Sequence, residues 1–286
     1  MARRLALIDI AFLLPALLLI IVLLGPIHDL LSRPTGVAPR TVCAGNLRQI
    51  GAALSAYASS NRGSFPIVAF GQATIAAENA FTSDLSPRNH HHSVSENLWP
   101  LCRTRLLVPS AFLCPASDQA DQEIDHTQWN ALRSLLDFPW KSPDAVIAYS
   151  FIQPWTRFPD GRTSAELWTD SFDPNTPIAA DANDGPKPNY AANGTPPNTD
   201  DLKQHVNSRN HGGDGQNVLF ADSHVQWSTT PYTGLDNDSI YTAQPENYSG
   251  HAGSTPGILS VRPANLKDTV LIPNKESNLA NWTRSP

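Results

Sequence analysis

The chain has 286 residues, 16% of them charged, with 25 prolines and a formal net charge of −6. That length allows one or two domains and a sizeable core, and the acidic balance leaves no basic footprint for a nucleic-acid partner. Few charges combined with many prolines describe a loop-rich domain rather than a helical bundle.

Residues 5–24 carry one charge, Asp9, and one proline, Pro15. At about 1.5 Å per residue this stretch makes roughly 30 Å of helix, the thickness of a bilayer's hydrocarbon core. Gly25-Pro26-Ile27-His28 follows, without the small-residue pattern of a signal-peptide cleavage site. Residues 1–24 therefore predict an uncleaved transmembrane anchor. Arg3 and Arg4 favour a cytoplasmic N-terminus and place the main domain outside the cytoplasm. A carboxylate such as Asp9 costs about 2.5–3.5 kcal/mol at the centre of a membrane helix and less near its end. Asp9 reads either as snorkelling to the interface or as meeting a positive group of another subunit.

Residues 25–39 hold Gly25, Pro26, Pro34, Gly36 and Pro39, and read as a linker. A helix is expected over 40–60, where Leu47, Ile50, Leu54 and Tyr57 recur at three- and four-residue steps. Asn61-Arg62-Gly63 ends it, and Pro66 forbids continuation. Residues 71–95 form a polar loop, in which His90-His91-His92 reads as a solvated run. A short helix follows over 98–107, then a strand over 111–115 ended by Pro115, and a helix over 119–136. Strands are expected over 145–152 and 177–180, with a long loop over 183–200.

Residues 217–228 give the clearest element of the domain, a hairpin with a two-residue turn at Asp222-Ser223. Val218 and Phe220 share one face, with Val225 and Trp227 expected to pack across from them. Asp-Gly is the favoured turn, so Ser223 needs a positive φ or another turn type. The soluble domain is thus placed at 40–242. The polar tail, 243–286, is expected to wrap the domain or to be partly disordered. Cys43, Cys102 and Cys114 allow three pairings with one thiol left over, and spacing does not choose among them.

Two segments together resemble a known family. Cys43-Ala-Gly-Asn-Leu-Arg-Gln-Ile-Gly, with Phe65-Pro66 and Phe112-Leu113-Cys114-Pro115, looks like the region after the anchor in planctomycete-type prepilin-like proteins. Asn207 to Trp227 resembles their C-terminal signature, His-x9-Asp-Gly, through His211, Gly213, Asn217, Asp222 and His224. The family is similar to type II secretion pseudopilins and type IV pilins, and its function is largely unassigned. The resemblance implies an α+β fold: an N-terminal transmembrane helix, then an amphipathic helix packed on an antiparallel sheet. It implies a single-pass protein of the bacterial inner membrane, with pilin-like subunits or secretion components as partners. It also implies that Asp9 meets a neighbour's amino terminus. Three departures stand out. Arg4 occupies the position of the processing-site glycine, ten residues separate His211 from Asp222, and Ser223 replaces the signature glycine.

Chemistry-bearing residues are few. His211, Asp222 and His224 could converge if the Gly-rich loop 212–215 folds back on the hairpin, and with Asp181 or Asp184 they could hold a divalent metal. The simpler expectation is that His211 and Asp222 hydrogen-bond loop backbone and fix the hairpin, with no cofactor. Asp181-Ala-Asn183-Asp184-Gly185 faintly resembles a calcium loop but has Ala191 where the final glutamate belongs. No Gly-x-Ser-x-Gly elbow or phosphate loop occurs, and no enzyme activity is expected. The leading reading is a membrane-anchored structural or assembly protein. The alternative is a membrane-tethered extracytoplasmic protein that binds a solute or a metal.

Overall fold

The computed structural model describes residues 37–67, 94–117, 147–152, 168–183, 198–242, 265 and 267–273. Among these, no helix is long and apolar enough to cross a membrane. The expected anchor with Asp9, the histidine run at 90–92, the helix expected over 119–136 and residues 184–197 lie outside the described residues.

The architecture is α+β. The first helix, α1, spans Val37–Ser60, so it starts inside what the sequence suggested as linker. Pro39 is tolerated there because it sits in the first turn, where the backbone N–H has no helical partner to lose. The stripe Cys43, Leu47, Ile50 and Leu54 is buried along one face of α1. Its end is a tight turn in which the Asn61 and Gly63 amides both donate to the Ala58 carbonyl, with Arg62 and Gly63 at positive φ. A second helix, α2, spans Val94–Arg103, earlier than the sequence suggested. The strand expected over 111–115 is absent: Pro109–Phe112 is a single 3-10 turn, begun by Pro109. A short apolar run carries no period that separates strand from turn, and proline's fixed φ favours the turn.

Five antiparallel strands follow: β1 (Tyr149–Ile152), β2 (Pro177–Asp181), β3 (Gln216–Phe220), β4 (Val225–Ser228) and β5 (Leu271–Pro273). Their order across the sheet is β4-β3-β2-β1-β5. The polar tail thus supplies an edge strand, with Ile272 opposite Phe151.

Alternation sorts the strand residues onto two faces. Tyr149, Phe151, Ala179 and Leu219 join the α1 stripe in the main core. Ala180, Val218, Phe220 and Leu271 form a second cluster with Ile240 and Tyr241. A register shift between Pro177 and Ala179 lets Ile178 and Ala179 both enter the helix-side core. Because both faces are covered, β2 and β3 are buried at every position.

The expected hairpin is present, with two corrections. Val225 stands opposite Leu219, not across from Val218 and Phe220, so it packs on the α1 side. The turn is a three-residue loop, in which the Ser223 amide donates to the Phe220 carbonyl and the Phe220 amide to the His224 carbonyl. Ser223 has a φ of 72°, the left-handed residue that such a loop requires. Its hydroxyl lies 3.2 Å from that of Ser55 on α1. Gly51 permits this approach, since a Cβ there would stand 2.9 Å from Leu219 Cδ1 and 3.1 Å from Ser223.

Candidate functional site: a buried carboxylate, imidazole and disulfide

Asp181 closes β2 on the α1 side of the sheet, two residues after Ala179. Its side chain is fully buried. Burial of a carboxylate is costly unless donors replace the lost water. Asn217 gives Oδ2 two donors, its amide at 2.6 Å and its Nδ2 at 3.1 Å, and His211 Nε2 stands at ion-pair distance, 3.1 Å away. Oδ1, equally buried, has no hydrogen-bond partner among the described residues. On the other side of Asp181, the Tyr241 hydroxyl donates to its main-chain carbonyl at 2.7 Å. Burial, with the negative charge of Asp181 as a second cause, pushes the phenols of Tyr241 and Tyr149 well above their usual range, so both stay neutral donors.

His211 reaches Asp181 from the loop before β3, and the loop's own polar residues hold it there. Asn207 Nδ2 donates to the Gly213 and Thr229 carbonyls, each at 2.9 Å. Ser208 Oγ donates to the Ala182 carbonyl at 2.6 Å, and Asn210 Nδ2 to the Ala148 carbonyl at 2.6 Å. Gly213 has a φ of 81°, and a Cβ there would overlap the Lys203 carbonyl, which explains a glycine at this point of the loop. Trp227 roofs the imidazole edge-on, with centroids 5.4 Å apart. Arg40 lies 4.1 Å over the Trp227 ring and pairs with Asp214, which also pairs with Lys203.

The structure settles the cysteine pairing as Cys43–Cys114, which joins α1 to the segment after the 3-10 turn. Cys102 is a buried free thiol, and burial pushes its pKa far above the usual range. Cys114 Sγ lies 3.8 Å from His211 Nε2. One ligand atom from each of Cys43, Cys114, Asp181 and His211 falls within 4.8 Å of the others, so these four form a possible metal-binding cluster.

The convergence expected of His211, Asp222 and His224 does not occur. His211 precedes β3 and Asp222 follows it, and five strand residues at about 3.3 Å each hold the two ends about 17 Å apart. Asp222 and His224 instead make their own contact, both half-exposed. Asp222 Oδ1 accepts from the His224 amide at 3.0 Å, the hairpin-fixing role expected of it. That bond, followed by the imidazole's contribution, holds the Asp222 carboxyl below its usual range. His224 stacks on Phe220 with centroids 4.2 Å apart. His211, by contrast, turns its imidazole to the Asp181 carboxylate and Cys114 Sγ rather than to loop backbone. Asn217 serves Asp181 and also donates to the Arg40 carbonyl at 3.3 Å, tying β3 to the start of α1. Asp181 is turned into the core and is not free to begin a calcium loop.

Sequence reasoning named Asp181 and His211 but missed their cysteine neighbours. The signal was present: Cys43 stands four residues before Leu47, on the stripe that faces the sheet. No protein-family model matches the chain, and neither a curated protein nor a solved structure matches it.

Proposed function

We propose that this chain is a membrane-anchored, pseudopilin-like structural or assembly protein of a type II secretion or type IV pilus-like apparatus. The observation that carries the reading is α1 lying along an antiparallel sheet, in a chain whose apolar segment 5–24 precedes that helix. That order of parts is what a subunit needs if one end is held in a bilayer and the other projects a rigid head. Two further features support it. Val37 and Val42, near the anchor end of α1, are 75% and 50% exposed in the single chain, apolar surface that a neighbouring subunit would cover. The signature loop, for its part, is built inward: Asp181, His211 and the disulfide join α1, β2 and β3 from within. In this reading Asp9 makes the membrane contact between subunits, and α1 is the spine.

The test is crosslinking in native membranes with a bismaleimide and a Val37→Cys reporter, in chains with Asp9 or Asp9→Ala. Crosslinked oligomers that disappear with Asp9→Ala are expected. Monomers alone in both chains would remove the assembly role. Intact mass of the extracted protein adds the processing state: a mature N-terminus at Leu5 would mean that a prepilin peptidase accepts Arg4.

A further inference from the structure

We infer that Cys43, Cys114, His211 and Asp181 are a metal site in the dithiol state of the chain. The same four residues then close in one of two ways, as the disulfide seen here or around a tetrahedral divalent transition metal such as zinc. The inference is independent of the assembly reading.

Geometry comes first. Tetrahedral zinc, with bonds of about 2.0–2.3 Å, keeps its ligand atoms about 3.3–3.8 Å from one another. The four donor atoms already lie within 4.8 Å of each other. His211 Nε2 is 3.8 Å from Cys114 Sγ, so that edge of the polyhedron is already close to size, and the carboxylate that carries Oδ1 stands beside the same imidazole, its Oδ2 3.1 Å from Nε2. Two sulfurs, an imidazole nitrogen and a carboxylate oxygen are a donor set that suits zinc or cobalt better than magnesium or calcium.

The second observation is the orphan. Asp181 Oδ1 is buried with no hydrogen-bond partner among the described residues, and such an atom forfeits its hydration without return. A metal bond supplies the missing partner. The other oxygen is held by the Asn217 amide and Nδ2, which fix the carboxylate as outer hydrogen bonds fix metal ligands elsewhere. Trp227 roofs the imidazole, and Arg40 lies over the Trp227 ring.

The chemistry balances with a dithiol as reductant. Protein disulfide plus external dithiol gives two protein thiols and an external disulfide. The metal ion then displaces both thiol protons, and the proton on His211 Nε2 moves to Nδ1 as Nε2 takes the metal. Because the four side chains are buried, neither a dithiol nor a metal reaches them in the folded chain. The choice is made as α1 docks on the sheet: metal in a reducing medium, disulfide in an oxidising one.

The test refolds the full-length chain in detergent, without oxygen and with a phosphine reductant, in the presence of cobalt(II) alone. Equimolar uptake is expected, with the visible bands of tetrahedral cobalt and a thiolate-to-metal charge-transfer band. Asp181→Asn and Cys114→Ser should weaken uptake by more than the roughly 10–100-fold typical of outer-sphere changes. Asp222→Ala and combined replacement of His90, His91 and His92 by alanine should leave it intact. Absence of the charge-transfer band, its unchanged intensity in Cys114→Ser, or its loss with the histidine run would overturn the site. His211→Cys guards against a misfolded serine variant: a third thiolate must intensify the band, and unchanged intensity counts against the site.

Discussion

Each end of β3 carries an imidazole beside a carboxylate, and the two pairs do different work. At the entry, His211 meets Asp181 with side chains 2% and 0% exposed; at the exit, His224 meets Asp222 with 43% and 45% exposed. The entry pair joins residues thirty apart in sequence, on different elements. The exit pair joins residues two apart, within one turn. A buried non-local pair fixes how elements sit on one another, because breaking one partner strands the other without water. An exposed local pair shapes only the loop that contains it and stays screened by solvent. The same residue types therefore bind the fold at one end of a strand and trim a turn at the other.

The sharpest way to break this contrast is at the disulfide beside the entry pair. Cys43 and Cys114 are 71 residues apart, and a loop of that size corresponds to about 4 kcal/mol of stabilisation by chain-entropy arguments. Cys114→Ser should lower the denaturant midpoint accordingly under oxidising, metal-free conditions. Little change in midpoint would mean that the α1 stripe alone seats the helix. Next in size is Asp181→Ala. It strips the Asn217 amide and Nδ2 of their common acceptor and His211 of its buried partner, and should cost about 3 kcal/mol. Asp222→Ala, measured beside it, should cost well under half as much. Equal losses at the two ends would dissolve the comparison.

The sequence made some of this legible and hid the rest for physical reasons. Helix α1 shows in the stripe Leu47, Ile50 and Leu54, because a helix on a sheet must bury one face. The hairpin shows in its strand propensities and turn, although its cross-strand register depends on the three-residue loop. Strand β5 was not legible: three residues become a strand only because β1 offers them an edge. At the site, Asp181 and His211 could be named, but grouping them with Asp222 and His224 assumed that the Gly-rich loop folds back on the hairpin. A straight strand keeps those pairs apart. The disulfide is non-local in the same sense, since Cys43 faces Cys114 only after α1 has docked.

Smaller effects sharpen the exit end. Ser223 holds a φ of 72°, where a side chain is disfavoured and glycine is not. Ser223→Gly removes that strain but gives up the 3.2 Å contact with Ser55, which is exposed and weak. A net gain of about 0.5 kcal/mol is expected by thermal unfolding. A net loss would show that the turn's tether to α1 matters more than its backbone strain.

The smallest effect is visible only in acid. The Asp222 carboxyl is held below its usual range, chiefly by the His224 amide and then by the imidazole. A depressed carboxyl contributes stability above its unfolded pKa of about 3.9, and loses it as pH falls through the folded value. Asp222→Asn keeps an oxygen for the His224 amide but cannot ionise. The wild-type chain should therefore have the higher Tm above about pH 5, and the gap should close as pH falls towards about 2. Asp214 is also held low, first by Lys203 and also by Arg40, but it is unchanged in the variant and drops out of the difference. A gap that stays constant across that range would assign the contribution of Asp222 to turn geometry alone. The exit pair would then share with the entry pair nothing but its residue types.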